Sequence, residues 1–106
     1  MNKRQIEKRE RNKKDKQWRI DIMSEYNGEC VICGNKIRPN AHHIIPRTFK
    51  ETRWDVKNGI ILCPLHHRFG KFSAHKNALW FINWLRANEE DKYKYLSCIM
   101  DDMDDI

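Results

Sequence analysis

The sequence predicts a small α+β domain in which two short strands and a helix gather around metal ligands, with further helices flanking that unit. Three observations lead there. A Cys-x-x-Cys clip at Cys30 and Cys33 is answered by a Cys-x-x-His clip at Cys63 and His66, as one four-ligand ion requires. Short apolar runs bounded by Pro, Gly and Asn alternate with helical patterns. A chain of 106 residues with 40% hydrophobic and 34% charged content has a modest core and gains from a metal staple.

Residues 1–14 are almost wholly polar and charged, so they have nothing to bury and read as a basic arm, helical only where later packing supports it. From residue 15 the pattern changes: Trp18, Ile22 and Tyr26 stand four apart on one helical face, and Asn27-Gly28 stops the helix. Cys30-Val-Ile-Cys33-Gly-Asn follows as a knuckle whose glycine permits the tight turn. A loop over 36–40 contains Pro39, and a strand over 41–45 ends at Pro46. Residues 47–57 form a polar connection with Trp54 embedded in it, and Asn58-Gly59 reads as a two-residue hairpin turn into a strand over 60–62. Pro64 suits a first helical position, so a helix from Leu65 carries His66 and His67.

Asn77 caps a last helix whose Leu79, Trp80, Phe81, Ile82, Trp84 and Leu85 make an apolar surface too wide for one face, expected to be wrapped by other elements. The acids over 101–105 read as a solvated tail rather than a metal site, because consecutive acids without a shaping loop lack preorganisation. The organisation expected is a basic arm at 1–14, a domain at 15–100 with its core motif at 30–68, and an acidic tail at 101–106.

The net charge of +6 is uneven. Residues 1–20 hold nine Lys/Arg against three acids, residues 21–88 ten against five, and residues 89–106 two against seven. A basic arm and body suit a polyanionic partner, since Lys and Arg displace counterions condensed on a phosphate backbone. A solvated face explains the same run equally well. No run of eighteen apolar residues exists, which excludes a membrane helix. The start shows no apolar signal segment, so the cysteines are expected in a reducing, cytoplasmic setting, where their spacing indicates metal binding rather than disulfides.

Cys30, Cys33, Cys63 and His66 fill all four places of a tetrahedral zinc, which makes that site structural; Cys98 lies outside it. His42, His43 and His67 remain. Neighbours on a strand point to opposite faces, so His42 and His43 are assigned two distinct jobs. His66 and His67 diverge by about 100° at a helix start, which lets one serve zinc and the other a second site. Arg47, Arg53, Lys57, Arg68 and Lys71 are candidate phosphate contacts, each as readily a solvated charge. Trp54 and Phe69 read as core before they read as base-stacking platforms. His75 stays open between an extra ligand, a phosphate contact and a capping or surface role.

Together, Cys-Val-Ile-Cys-Gly, His42-His43-Ile-Ile-Pro-Arg47, Asn58-Gly-Ile-Ile-Leu-Cys63 and His66-His67 resemble the signature of the HNH endonuclease family, including zinc-knuckle members common in phages, over residues 30–68. The resemblance implies a ββα-metal (His-Me finger) fold named for His43, Asn58 and His67. His43 would activate water as the general base, His42 and His67 would hold a catalytic divalent ion, and Asn58 would brace the loop and orient His43. It also implies hydrolysis of phosphodiesters in nucleic acid, leaving 5′-phosphate and 3′-hydroxyl ends; the expected partner is DNA and the expected state a monomer or weak homodimer. Two departures stand out: His42 occupies a place where relatives often have Asp, and His66 one where Cys is more frequent. An imidazole in place of a carboxylate shifts the catalytic site from Mg toward Mn, Ni or Zn.

A non-catalytic zinc module that docks nucleic acid through the basic arm is the alternative. It explains zinc and charge but leaves His42, His43 and His67 without a task. A zinc deaminase would need His-x-Glu with Pro-Cys-x-x-Cys, and no Glu stands beside a ligand histidine.

Overall fold

The computed structural model describes residues 1–104; residues 105 and 106, the end of the expected acidic tail, lie outside them. Helix α1 spans Lys3–Glu25. Asn2 starts it: its side chain accepts the Gln5 N–H at 2.9 Å while the Gln5 side chain accepts the Asn2 N–H at 2.9 Å, a reciprocal cap. That cap and a run of strong helix formers carry the helix through residues that read as an arm, all of which stay exposed as far as Lys14. Arm and amphipathic segment are therefore one element. It ends where Asn27 and Gly28 take left-handed φ values of 55° and 67°.

Strands β1 (Asn40–His43) and β2 (Gly59–Leu62) pair antiparallel, with His42 opposite Ile60 and His43 opposite Gly59. The fold is this two-stranded sheet with helices, a small mixed α+β unit. Alternate β2 side chains feed two cores: Ile60 and Leu62 pack with Cys30, Cys63, Phe81 and Leu85, while Ile61 packs with Trp18 and Ile22 of α1.

Asn58-Gly59 is not a hairpin turn. The connection runs over residues 44–58, and Asn58 is buried at its end, its Oδ1 accepting the Ile45 N–H at 2.7 Å and its Nδ2 donating to the carbonyls of Ile45 (3.0 Å) and Thr52 (3.1 Å). Gly59 is needed for space. A Cβ there would lie 2.5 Å from Ile22 Cδ1 and 2.6 Å from Trp18 Cζ2, where α1 crosses β2. Gly59→Ala is therefore expected to destabilise the protein by about 1–3 kcal/mol through overpacking, read from urea denaturation. An unchanged midpoint would show that α1 does not press on β2.

After β2, the expected helix over His66 and His67 is a single π-helical turn, Leu65–Phe69, closed by the Gly70 N–H on the Leu65 carbonyl at 2.8 Å. Helix α2 (Ala78–Asn88) is capped by Asn77, whose Oδ1 accepts the Trp80 N–H at 3.1 Å. Its apolar surface is only partly wrapped: Phe81 and Leu85 are buried, whereas Leu79 is 73% exposed. Helix α3 (Glu90–Asp104) packs against α2 and buries Leu96, and the acids expected as a free tail form its last turn as far as Asp104. No helix among the described residues is long and apolar enough to cross a membrane.

Candidate metal centres and the histidine cleft

The knuckle places Cys30 and Cys33 beside the start of the π-helical turn. Gly34 adopts φ 76°, and its N–H returns to the Cys30 carbonyl at 2.8 Å, the tight reversal that brings the two sulfurs together. Cys33 Sγ lies 3.7 Å from Cys63 Sγ, and His66 Nδ1 lies 3.3 Å from Cys63 Sγ and 3.8 Å from Cys30 Sγ. Ligands at a Zn–S length of about 2.3 Å stand about 3.8 Å apart in a regular tetrahedron, so the donor set fits one zinc ion.

The thiols also call for a cation. Burial raises the pKa of Cys30 but is outweighed by the backbone N–H groups of Cys63, Cys33 and Ile32, which hold it below the usual thiol range. Burial and then the neighbouring sulfurs push Cys33 up to about 11. Adjacent thiolates cannot all ionise unless a metal shares their charge. The Cys3His cluster is thus a group able to hold zinc, and Cys98 is exposed and apart from it.

A second group lies on the other side of the turn. Donor atoms of His42, His67 and His75 fall within 4.8 Å of one another. The chain returns His75 to this place by two backbone bonds, Ala74 N–H to the His66 carbonyl at 2.8 Å and His75 N–H to the His67 carbonyl at 3.0 Å. The Nε2 atoms of His67 and His75 stand 3.1 Å apart. Two nitrogens bound at about 2.1 Å to one ion are separated by about 3.0 Å at right angles and 3.4 Å in a tetrahedron, so this spacing fits cis ligation. The group contains no carboxylate.

Burial lowers His42 to about 3, helped by His67, His75, His43 and Arg68; burial, then His75 and Arg68, lowers His67 to about 4. His75 is lowered by burial and by Arg68. All three imidazoles are then neutral near pH 7, the form that ligates.

His43 stands apart from this trio, as alternation along β1 requires. Its ring lies flat on the Trp18 indole, centroids 3.8 Å apart and planes 6° from parallel. Its Nε2 is 2.9 Å from the Arg53 carbonyl. A carbonyl only accepts, so Nε2 carries the proton and Nδ1 keeps the free lone pair. Burial lowers its pKa, with the Arg53 carbonyl opposing, which favours the neutral ring.

His42, His43, His67 and His75 line one cleft of about 600 Å³, with Arg47 and Arg68 in the same wall. The other candidate phosphate contacts lie elsewhere. The Arg53 guanidinium is held by Asp15, Lys57 lies over the Tyr95 ring and Lys71 over Phe72. Phe69, read as core, is 69% exposed, whereas Trp54 packs at the edge of the Trp18–Ile22–Ile61 cluster.

Residues 30–75 match the family described as HNH endonuclease. This segment is thus similar to the HNH endonuclease family. No curated protein and no solved structure matches the chain. The HNH segment contains the knuckle, both strands, the π-helical turn and all three histidines of the second cluster, ending on His75. Sequence spacing left His75 open because its approach depends on the two backbone bonds to His66 and His67, which no local motif announces. Helix α1 lies outside the HNH segment, yet its Trp18 covers His43.

Proposed function

We propose that the chain is a metal-dependent HNH nuclease that hydrolyses phosphodiester bonds in DNA, with one structural zinc and one catalytic divalent ion. The observation that carries this is the second histidine group: three neutral imidazoles outside the zinc ligands, in an open cleft shared with His43 and two arginines. A module that only docked nucleic acid would have no use for them.

In this mechanism His42 and His67, joined by His75, would hold the ion. The bound ion would neutralise charge building on the phosphate and on the leaving 3′ oxygen. His43, its Nε2–H fixed on the Arg53 carbonyl, takes a proton from the attacking water through Nδ1. Asn58 ties residue 58 to Ile45 and Thr52 and so fixes the loop that follows His43. Arg47 and Arg68 hold phosphate oxygens at the cleft. The exposed basic turns over residues 1–14 draw in the polyanion, residues 15–100 act as the nuclease domain, and the chain works in the cytoplasm as a monomer or weak homodimer.

The test is plasmid cleavage by zinc-loaded protein with Mg, Mn, Ni or added Zn, beside a chelator control. Nicking that requires the added ion supports the proposal. Binding without cleavage under every ion, by protein of full zinc content, would favour the docking module instead.

Three imidazoles without a carboxylate suit Ni or Zn better than Mg, with Mn between them. Cleavage with Mg is expected to be slower than with Mn or Ni by at least about tenfold, the effect of about 1.4 kcal/mol. His42→Asp should narrow that gap. Equal rates with Mg and Ni in the unaltered protein would rule out the imidazole-only ligand set.

A further inference from the structure

The strongest unassigned feature is the way α1 surrounds His43. Asp15 and Trp18 stand three apart on α1, hence on one helical face. The Asp15 carboxylate accepts Arg53 Nε at 2.9 Å, Arg53 Nη2 at 2.8 Å and Trp54 Nε1 at 2.8 Å. Trp18, only 3% exposed, donates its Nε1–H to the Asp55 carbonyl at 2.8 Å. One turn of α1 thereby pins three successive loop residues, 53–55. Arg53, the first of them, offers its carbonyl to His43 Nε2, and the Trp18 indole covers the face of the same ring.

We propose that Asp15 and Trp18 are positioning residues for the catalytic base, so that α1, though outside the HNH segment, completes the nuclease site. This rests on the reading of His43 as that base. Trp18 fixes the ring plane by contact. Asp15 fixes the edge through Arg53, because a shift of the Arg53 carbonyl would release the Nε2–H and let the imidazole turn or change tautomer. Simple packing requires neither a parallel stack nor a bidentate ion pair on the residue whose carbonyl His43 uses. The Arg53 charge is thus paired with Asp15 of α1.

The experiment uses the full zinc-loaded chain and two readouts. Cleavage kinetics with Mn are measured for Asp15→Ala, Trp18→Leu and Trp18→Phe, and the imidazole nitrogens of His43 are followed by NMR, which needs no turnover. Asp15→Ala is expected to lower kcat at least about tenfold, since misplacement near 1 Å can remove about a hundredfold, with KM and Mn affinity unchanged. Its His43 signals should change from one Nε2–H tautomer to an exchanging mixture. Trp18→Leu should lose kcat likewise, and Trp18→Phe, which keeps an aromatic face, should recover most of it.

Unchanged kcat and unchanged His43 signals in Asp15→Ala would overturn the proposal, as would a loss shared equally by KM and Mn affinity. Trp18 is a core residue and its variants can fail to fold; Asp15, on the rim of the core, then decides the matter alone. If the unaltered protein cuts nothing, the nuclease proposal fails, while the tautomer readout still shows whether Asp15 holds His43.

Discussion

Removing zinc from Cys30, Cys33, Cys63 and His66 is expected to abolish cooperative unfolding of the domain, and Cys63→Ala should do the same in the presence of zinc. Cys30 and Cys63 are both candidate ligands and core residues, packed with Ile60, Leu62, Phe81 and Leu85. The sheet they support has two strands of four residues each, too little to stand alone in water. Structural zinc contributes about 10–16 kcal/mol in small domains, as much as or more than the about 5–15 kcal/mol by which whole domains are stable. Without the ion, neighbouring thiols and the His66 imidazole would face one another at 3.3–3.8 Å, with Cys30 and Cys63 buried. Far-ultraviolet dichroism on heating, with zinc content measured in parallel, checks this. Cys98→Ser, at an exposed position outside the cluster, should melt as the unaltered chain does. A chelated protein that kept its transition would remove zinc from the account of the fold.

How much of this was legible in the sequence depended on whether the cause was local. The two ligand clips, the Asn77 cap and the divergence of His42 from His43 follow from spacing along a turn, a helix or a strand, and the structure has the two clips together, the cap formed and the two rings among different neighbours. Asn58-Gly59 misled because its dipeptide has two uses. Here Asn58 meets the backbone of Ile45 and Thr52, and Gly59 clears room for Ile22 and Trp18; both causes lie far away in sequence. The length of α1 was missed because charge suggested an arm, whereas Asn2 and Gln5 cap the helix before any packing begins. The exposure of Phe69 and the approach of His75 are set by the π-helical turn and the fold-back after it, which periodicity cannot register.

His43→Ala is expected to lower kcat for DNA cleavage by about 10²–10⁴, the usual contribution of a positioned general base, while Mn affinity and KM change little. The reason is the division of labour along β1. His42 points to His67 and His75, so an ion bound there keeps its ligands when His43 is removed. His43 meets the Arg53 carbonyl and the Trp18 ring instead, and lines the same cleft. His67→Ala should behave differently, losing Mn affinity and cleavage together, because it deletes one of the three imidazoles. Removing the His43 ring leaves the Trp18 face uncovered, so each variant is first compared by melting temperature and zinc content; His43→Ala must retain both for its rate to be read. If His43→Ala weakened Mn binding as much as His67→Ala does, His43 would be a ligand and the base would have to be sought elsewhere. If it cut at the unaltered rate, the stack on Trp18 would be a packing contact alone. A selective loss of kcat at constant metal affinity is the outcome that only a proton-accepting His43 explains.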